Sequence, residues 1–334
     1  MTGTSDDHRE PEGGSLRRVV AFVGPTGVGK TALAEAVAAQ LGGEIVSADS
    51  MQVYRGMDIG TAKPAVADRL VPYHCVDLVD SGAAYSAALY QRDARGAIES
   101  IAARGALPVL CGGTGLYVRA ALDDFRFPVG EAVGDVREHY MAIADEIGPV
   151  ALHARLTLRD PGAAALIHPN NTRRVVRALE MLDEGASYSA QAAGFAVRRS
   201  IYDVTFIGLS MDRDRLYSRI DARVDAMIAT GLIDEVAGLL DAGYRDALTA
   251  AWAIGYKELV GVIELGLELD DAVASIKQST RRYAKRQLTW FRADPRIEWL
   301  DVTDLSPDVA REAGVALVQS VRTPPAKTAR DDTP

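Results

Sequence analysis

The sequence predicts an α/β protein in which a parallel sheet surrounds a phosphate-binding loop and a helical insertion interrupts that core. In the first hundred residues, short apolar runs alternate with helical patterns. A Gly-rich turn separates the first apolar run from the first helix. From about residue 130 to 199 the apolar spacing is helical only, and a strand pattern returns near residue 204. The insertion is therefore expected to divide the core into two parts.

The elements of the core follow in order along the chain. Strands are predicted at residues 19–23, 45–46, 108–111, 204–209 and 297–300, where apolar residues cluster. A helix is predicted from Thr31, and a long helical stretch from about residue 210 through Trp290. Strands that alternate with helices in this way are typical of a parallel sheet.

Composition changes along the chain predict its division into segments. The two ends are rich in Gly, Ser, Pro and charged residues, which predicts disorder. The predicted segments are a disordered tail 1–16, a first part of the core 17–127, a helical insertion 128–200, a second part of the core 201–321, and a disordered tail 322–334.

The chain of 334 residues is 48% hydrophobic and 25% charged, as is usual for a soluble globular protein. Its formal net charge of -9 argues against a protein that coats nucleic acid without specificity. It contains neither an apolar run long enough to span a membrane nor an apolar signal segment at its N-terminus. We expect a cytoplasmic monomer without membrane contact, with Cys75 and Cys111 as buried free thiols.

A phosphate-binding loop is the strongest motif. The pattern G-x-x-x-x-G-K-[ST] is satisfied between a strand and a helix by Gly24, Pro25, Thr26, Gly27, Val28, Gly29, Lys30 and Thr31. Glycines let backbone N–H groups turn toward phosphate oxygens, and the start of the helix adds its positive dipole end. Lys30 supplies a charge, and Thr31 is the expected ligand of a Mg²⁺ cofactor.

The loop alone leaves several activities open, because kinases, ATP-binding hydrolases and diphosphate-using transferases all need one. The strand at 108–111 leads into Gly112, Gly113 and Thr114, so it lacks the terminal aspartate of a typical NTPase. Shorter runs that end in Asp77 or Asp80 leave that possibility open. Asp49 follows the second strand, where it is either a site carboxylate or the cap of a turn.

Several longer motifs resemble those of bacterial tRNA dimethylallyltransferases, over about residues 17 to 300. These motifs are Gly24–Thr31, Ser47–Ser50, Tyr54–Pro64, Gly112–Tyr117, His168–Asn170, Arg173–Glu180, Gly255–Tyr256 and Arg281–Arg292. The resemblance implies transfer of a dimethylallyl group from dimethylallyl diphosphate to the exocyclic N6 amine of an adenosine next to the tRNA anticodon, with release of diphosphate.

The resemblance also implies catalytic roles. Asp49 would hold and deprotonate the amine, which is a poor nucleophile without a base, and Thr114 would lie near it. Arg213 and Arg219 would close on the diphosphate. A spacing of six residues turns a regular helix by about 240° net, so these two arginines would not share a face. Either Arg213 precedes the helix, or one of the two assignments is wrong.

The resemblance implies tRNA contacts beside Asp49, in the helical insertion and in the basic helix near the C-terminus, and the acceptor adenine would be flipped out of its stack. The contact residues implied by the resemblance are Asp49, Ser50, Met51, Gln52, Thr114, Arg137, Arg173, Arg174, Val175, Val176, Arg177, Arg281, Arg282, Lys285 and Arg286. Two patterns agree with it: Arg173 and Arg177 share a helix face, and residues 277–292 carry six cationic side chains and no acid.

Three other activities are compatible with parts of this sequence. An adenylate isopentenyltransferase uses a free nucleotide and has no need of the basic segments. A P-loop metabolite kinase would bind ATP and close an arginine-rich lid, for which residues 213–223 are a candidate. A non-catalytic RNA-binding protein leaves the intact P-loop and Asp49 unexplained. The basic segments favour the tRNA-modifying enzyme.

Overall fold

The computed structural model describes residues 16–125, 127, 135–244 and 250–320. Its centre is a parallel sheet of six strands in the order β3-β2-β4-β1-β5-β6. The strands are β1 (Arg18–Val23), β2 (Gly43–Ser47), β3 (Tyr73–His74), β4 (Leu107–Gly112), β5 (Asp203–Ser210) and β6 (Ile297–Asp301). The predicted fold class is therefore confirmed. Five of the strands match predicted apolar runs, whereas β3, a two-residue strand at the sheet edge, carries no such signal.

Thirteen α-helices accompany the sheet in the described part of the chain. They are α1 (Lys30–Leu41), α2 (Ala87–Ala103), α3 (Gly115–Leu122), α4 (Asp135–Ile147), α5 (Pro149–Arg159), α6 (Pro161–Leu166), α7 (Thr172–Asp183), α8 (Tyr188–Ala196), α9 (Arg213–Ala229), α10 (Leu232–Asp241), α11 (Tyr256–Leu265), α12 (Leu269–Arg292) and α13 (Pro307–Ser320). Within the described residues, none is both long and apolar enough to cross a bilayer.

Helices cover both faces of the sheet, which is why β1 is buried along almost its whole length. One face packs on α1 and α13, and Val20 and Phe22 of β1 point into that cluster. The other face packs on α2 and α3, with Val19 and Ala21 in its cluster. Helices α4 to α8 enclose a third cluster of their own, centred on α5 and α7.

The predicted helical stretch from residue 210 through Trp290 is interrupted in the structure. Gly231, Gly255 and Gly266 separate α9, α10, α11 and α12, and all three have positive φ. Such φ values cost a glycine little and other residues more, so each glycine permits a sharp change of direction. The breaks fold this stretch around the apolar wall of a cavity instead of extending it as one helix.

A buried charge network fixes the base of the insertion. The Asp123 carboxylate, only 1% exposed, accepts from the Arg119 Nε at 2.8 Å and from an Arg296 nitrogen at 2.6 Å. Arg296 also pairs with Asp294 at 2.7 Å, and Arg198 reaches Asp294 at 2.8 Å. Asp123 and Arg198 lie in the two segments that connect the core to the insertion. Their ion pairs therefore hold both segments against α3 and the residues that precede β6.

The predicted domain boundaries stay predictions. Residues 128–134, where the insertion was expected to begin, lie outside the described residues. So do the predicted tails, 1–16 and 322–334, except for Leu16.

Candidate active site

The candidate active site lies at the carboxyl ends of the strands, where ligands bind in open parallel sheets. The P-loop follows β1, Asp49 follows β2, and Thr114 follows β4. Because β1, β4 and β2 are neighbours in the sheet, these three segments meet. Backbone bonds join two of them: the Ala48 N–H donates to the Cys111 carbonyl at 2.8 Å, and the Thr114 N–H donates to the Ala48 carbonyl at 3.1 Å.

The P-loop has the backbone that its glycines permit. Gly24 has φ of 141°, and a Cβ there would lie 2.6 Å from the Leu209 carbonyl oxygen of β5. Gly29 has φ of 103° and caps α1, so its turn directs the first N–H groups of the helix toward the loop interior. Helix α1 then begins with Lys30 and Thr31. The arrangement is that of an anion-binding loop.

Lys30 is partly buried in this loop, where its ammonium donates to the Pro25 carbonyl at 2.7 Å. The pKa of Lys30 is lowered from its ordinary value to about 8, mainly by loss of solvation and in smaller part by the nearby Arg223 guanidinium. The neighbouring Cys111 and Asp49 oppose that shift. A diphosphate in the loop would favour the charged ammonium and raise the pKa again.

This shift predicts proton uptake when a diphosphate binds. At pH 8 about half of the Lys30 side chains are neutral in the free protein, and an anion would recharge them. Affinity should therefore fall as the pH rises above about 8, because the free protein must first regain that proton. Calorimetric titration with dimethylallyl diphosphate, without RNA, in two buffers of different ionisation enthalpy measures the uptake. The number of protons taken up when the ligand binds to Lys30→Met is subtracted from the wild-type number, which removes the part due to protonation of the ligand itself. Equal uptake by the two proteins would contradict the assignment.

Asp49 occupies the turn after β2. One of its carboxylate oxygens accepts from the Met51 N–H at 2.9 Å, which is the turn-capping role that the sequence left open. The same side chain lines the cavity beside the P-loop. Among the described lining residues it is the only carboxylate. The turn bond orients Asp49 and leaves carboxylate lone pairs for a ligand.

Thr114 connects the β4 loop to the Asp49 segment. Its hydroxyl accepts from the Ser50 N–H at 3.1 Å and lies 3.4 Å from the Ser50 hydroxyl. Thr114 immediately precedes α3 and lies close enough to the Tyr283 side chain of α12 to affect its pKa. Burial, with a contribution from Asp49, raises the pKa of Tyr283 to about 12, so its phenol is a neutral donor near pH 7.

Gln287 bridges the P-loop and the β4 loop. Its carbonyl oxygen accepts from the Thr26 N–H at 2.8 Å, and its amide nitrogen donates to the Gly113 carbonyl at 3.0 Å. The side chain is buried, so both bonds are protected from water. The bridge sets the separation between the phosphate-binding loop and Thr114. Sequence analysis did not identify Gln287 or Tyr283, because a single polar residue in a basic helix carries no distinctive pattern.

A cavity of about 280 Å³ opens beside these residues. Its polar end is formed by Thr26, Asp49, Arg223, Tyr283 and Arg286. Its other wall is apolar and comes from α9 to α12, including Ile220, Val224, Met227, Leu232, Ile254, Tyr256 and Ile276. A ligand with an anionic end and a small hydrocarbon end fits such a division.

The two predicted diphosphate arginines lie in different places. Helix α9 begins at Arg213, so the explanation that Arg213 precedes the helix is wrong. The Arg213 side chain is 76% exposed and pairs with Asp214 at 3.2 Å. A Cβ on Gly29 would lie 3.7 Å from an Arg219 guanidinium nitrogen, so Arg219 does lie at the loop.

Arg223 is a site residue that sequence analysis missed. It lies one helical turn beyond Arg219, lines the cavity, and is partly buried, with the opposite charge of Asp49 close enough to interact with it. Burial lowers the pKa of its guanidinium, and Arg219 contributes in the same direction. An i,i+4 arginine pair on one face of α9 was the available signal.

The structure separates the predicted tRNA contacts of the insertion. Arg173 stacks over the exposed Trp252 ring at 3.7 Å, beside the cavity, and Arg174 is exposed. Arg177 pairs with Glu180 at 3.2 Å, and Arg137 reaches the same carboxylate at 3.3 Å. Two further predicted contacts, Val175 and Val176, are fully buried in the insertion core. Their side chains are therefore enclosed by protein in this structure, and a contact with RNA at these positions stays a prediction.

In the core, some of the predicted tRNA-contact residues line the cavity, whereas others have polar groups that are already paired within the protein. Ser50 and Met51 line the cavity, but the buried Gln52 accepts from the Ser47 hydroxyl and donates to the Thr61 carbonyl, so both ends of its amide are occupied. Arg281 forms an ion pair with Asp221 at 2.5 Å.

Arg282, Lys285 and Arg286 form no ion pair with any residue in the described ranges. Arg286 lines the cavity and lies over the Tyr283 ring, 5.6 Å from its centroid.

Comparison with known proteins identifies the family. The family model described as IPP transferase matches residues 52–294. The chain belongs to this family. A second family model, for ATPases associated with various cellular activities, matches residues 20–75, which include the P-loop. The tRNA dimethylallyltransferase of Geobacillus thermodenitrificans is 49% identical over 86% of this chain and 91% of its own. That of Bacillus subtilis is 48% identical over 85% and 91%.

Solved structures of the same family have the same fold. The tRNA isopentenylpyrophosphate transferase of Bacillus halodurans is 43% identical and superimposes with a TM-score of 0.66 over 91% of this chain and 97% of its own. A eukaryotic dimethylallyltransferase acting on tRNA is 28% identical, with a TM-score of 0.75 over 90% and 78%. The predicted resemblance is thereby confirmed.

Proposed function

We propose that this protein transfers a dimethylallyl group from dimethylallyl diphosphate to the N6 amine of an adenosine next to the anticodon of tRNA. The observation that carries the proposal is a cavity with three parts: an end that reaches the anion-binding loop at Thr26, an apolar wall, and Asp49, the one carboxylate among its described lining residues. Each part suits one component of that reaction. Its relatives are named for the same transfer to tRNA.

The carboxylate end would act on the acceptor. An exocyclic amine delocalises its lone pair into the ring, so it attacks carbon more readily as a base removes its proton. Asp49 is positioned by the Met51 N–H and lies beside Thr114, whose hydroxyl can hydrogen bond the adenine. The N6–carbon bond forms, the bond from the allylic carbon to diphosphate oxygen breaks, and the amine proton passes to the Asp49 carboxylate.

The P-loop side of the same polar end would stabilise the leaving group. As the carbon–oxygen bond breaks, negative charge collects on the diphosphate, where the loop N–H groups, Lys30, Arg219 and Arg223 can interact with it. The allylic fragment gains positive character while the apolar wall excludes water that could trap it. Arg213 is exposed and paired with Asp214, and its part in this step stays a prediction.

Mg²⁺ fits this site only as an ion that accompanies the donor. The described residues contain no cluster of three acidic, histidine or cysteine side chains that could hold a metal. Thr31 lies at the start of α1, near Cys111 of β4, and its hydroxyl can supply one ligand to the ion. Diphosphate oxygens and water would supply the other ligands. Bound in this way, the ion would neutralise charge on the leaving diphosphate.

Transfer of labelled dimethylallyl diphosphate in the presence of Mg²⁺ tests the proposal. Unmodified tRNA, AMP and ATP are offered in parallel as acceptors. Label in tRNA alone is expected. Label in AMP or ATP would instead indicate an adenylate isopentenyltransferase. Phosphoryl transfer from ATP without prenyl transfer would indicate a kinase, and either result would overturn the proposal. We further propose that the protein is a monomer located in the cytoplasm. Analytical sedimentation tests its oligomeric state, and cell fractionation tests its location.

A further inference from the structure

A second groove lies beside the cavity and has a different character. It has a volume of about 470 Å³ and is formed where α3, the end of the insertion and α12 meet. Its lining includes Arg119, Arg198, Lys285, Arg286, Thr289 and Trp290. Four of these are cationic and none is acidic, although the whole chain carries a net charge of -9. Local concentration of positive charge in an acidic protein indicates an anionic partner.

The cations of the groove fall into two pairs. Arg119 and Arg198 are anchored by the buried carboxylates Asp123 and Asp294, each at 2.8 Å, which fixes where their guanidinium groups lie. Lys285 and Arg286 have no ion-pair partner within the described ranges. Their charges remain available to a ligand, so the groove combines a rigid floor with two uncompensated cations.

An indole ring completes the groove. Trp290 is 43% exposed, and its ring lies against Gly115 so closely that a Cβ there would be 2.1 Å from the indole nitrogen. The Phe195 ring packs at 6.5 Å in an edge-to-face arrangement. Trp290 is therefore held against Gly115, the residue that follows Thr114, and part of its ring surface remains open to a ligand. A fixed aromatic ring beside cations is typical of single-stranded nucleic acid sites.

The groove is continuous with the cavity through Arg286, which lines both. Along α12, Tyr283, Arg286, Gln287 and Trp290 recur at helical spacing and form one face that passes over the Thr114 loop. A strand whose base enters the cavity would thus meet the groove with its next nucleotide. Phosphate contacts of this kind set the register of a nucleic acid on its protein.

We propose that the groove binds the nucleotide adjacent to the acceptor adenosine, with its phosphate on Lys285 and Arg198 and its base against Trp290. The inference rests on the proposed function, since it requires an RNA acceptor. It adds a positioning role, because a flipped base reaches Asp49 reliably only if the strand beside it is held.

Binding of an anticodon stem-loop RNA provides the first test. Trp290→Ala should weaken RNA binding by about 5- to 100-fold, the usual range for loss of one stacked base, and Trp290→Phe should restore most of it. The KM for RNA should rise while the KM for dimethylallyl diphosphate stays within about 2-fold, since the donor loop is untouched. Lys285→Gln should reduce the slope of log affinity against log salt by about 0.7, the value for one single-strand phosphate.

Arg104→Gln is the matched control, because Arg104 lies at the opposite end of β4 and pairs with Glu44. It should change neither the RNA affinity nor its salt slope.

The second test locates the phosphate. Stem-loops carrying one neutral methylphosphonate linkage at a time are compared on wild type, Lys285→Gln and Arg198→Gln. One linkage next to the acceptor should weaken wild-type binding and have little further effect on the variants. Equal penalties in wild type and variants at every linkage, or unchanged RNA binding by Trp290→Ala, would overturn the groove assignment. Failure of the proposed function appears separately, as a wild-type protein that transfers no label to the stem-loop.

Discussion

Replacing Asp49 by asparagine is expected to lower kcat for prenyl transfer by about 10²- to 10⁴-fold, the usual contribution of a general base. The asparagine side chain keeps an oxygen that can accept from the Met51 N–H, so the turn after β2 should survive. What disappears is the only carboxylate among the described residues that line the cavity. Single-turnover transfer to a stem-loop RNA, at saturating donor and RNA, measures the effect.

Asparagine and alanine at position 49 separate the two roles of this residue. If Asp49 only caps the turn, Asp49→Asn should retain activity and Asp49→Ala should lose it together with thermal stability. If Asp49 is the base, both variants should be slow while the asparagine variant keeps its melting temperature. Asp80→Asn is a suitable control, because Asp80 is exposed and pairs only with Arg55 among the described residues. An active Asp49→Asn protein would exclude the base assignment.

The sheet could be predicted from sequence because its signal is local. Buried parallel strands are short apolar runs, and five such runs coincide with β1, β2, β4, β5 and β6. Strand β3 was not predicted, because it pairs through only two residues, Tyr73 and His74, and its position depends on β2. The breaks at Gly231 and Gly255 were equally hidden, since a glycine in a helical pattern indicates a turn only when packing requires one.

The site was predictable where a motif is contiguous. The P-loop is such a motif, and Asp49 and Thr114 follow from strand ends that the parallel topology brings together. Arg223 and Gln287 required the folded chain, because their roles depend on which face of α9 or α12 meets the P-loop. Helical periodicity relates residues within one helix but does not say what that helix packs against.

The same limit applies to the predicted RNA contacts. The segment from Arg173 to Arg177 resembles a family motif as a whole, yet its alternate faces have opposite environments. Val175 and Val176 face the insertion core, whereas Arg173 faces Trp252. A motif therefore identifies a helix that is involved in function, and the fold decides which of its side chains can touch a ligand.

Replacing Gln287 by methionine is expected to lower kcat by about 10²-fold, because a shift of about 1 Å between reacting groups has an effect of that size. Methionine has nearly the same volume and leaves the helix intact, but it can neither accept from Thr26 nor donate to Gly113. In the proposed reaction these two loops would hold the leaving group and the acceptor, so their separation would set the attack distance. The loss should therefore fall on kcat, with the KM for RNA within about 3-fold.

Two further variants make this prediction specific to the bridge. Gln278→Met makes the same substitution on the exposed side of α12, and it should keep wild-type activity. Gln287→Glu retains an acceptor for Thr26 but, when ionised, places an oxygen against the Gly113 carbonyl, so it should be no more active than Gln287→Met. If Gln287→Met had the wild-type kcat and a lowered melting temperature, the two hydrogen bonds of Gln287 would stabilise the fold without contributing to catalysis. A lost kcat with an unchanged RNA KM would establish that Gln287 holds the two loops at their reacting distance.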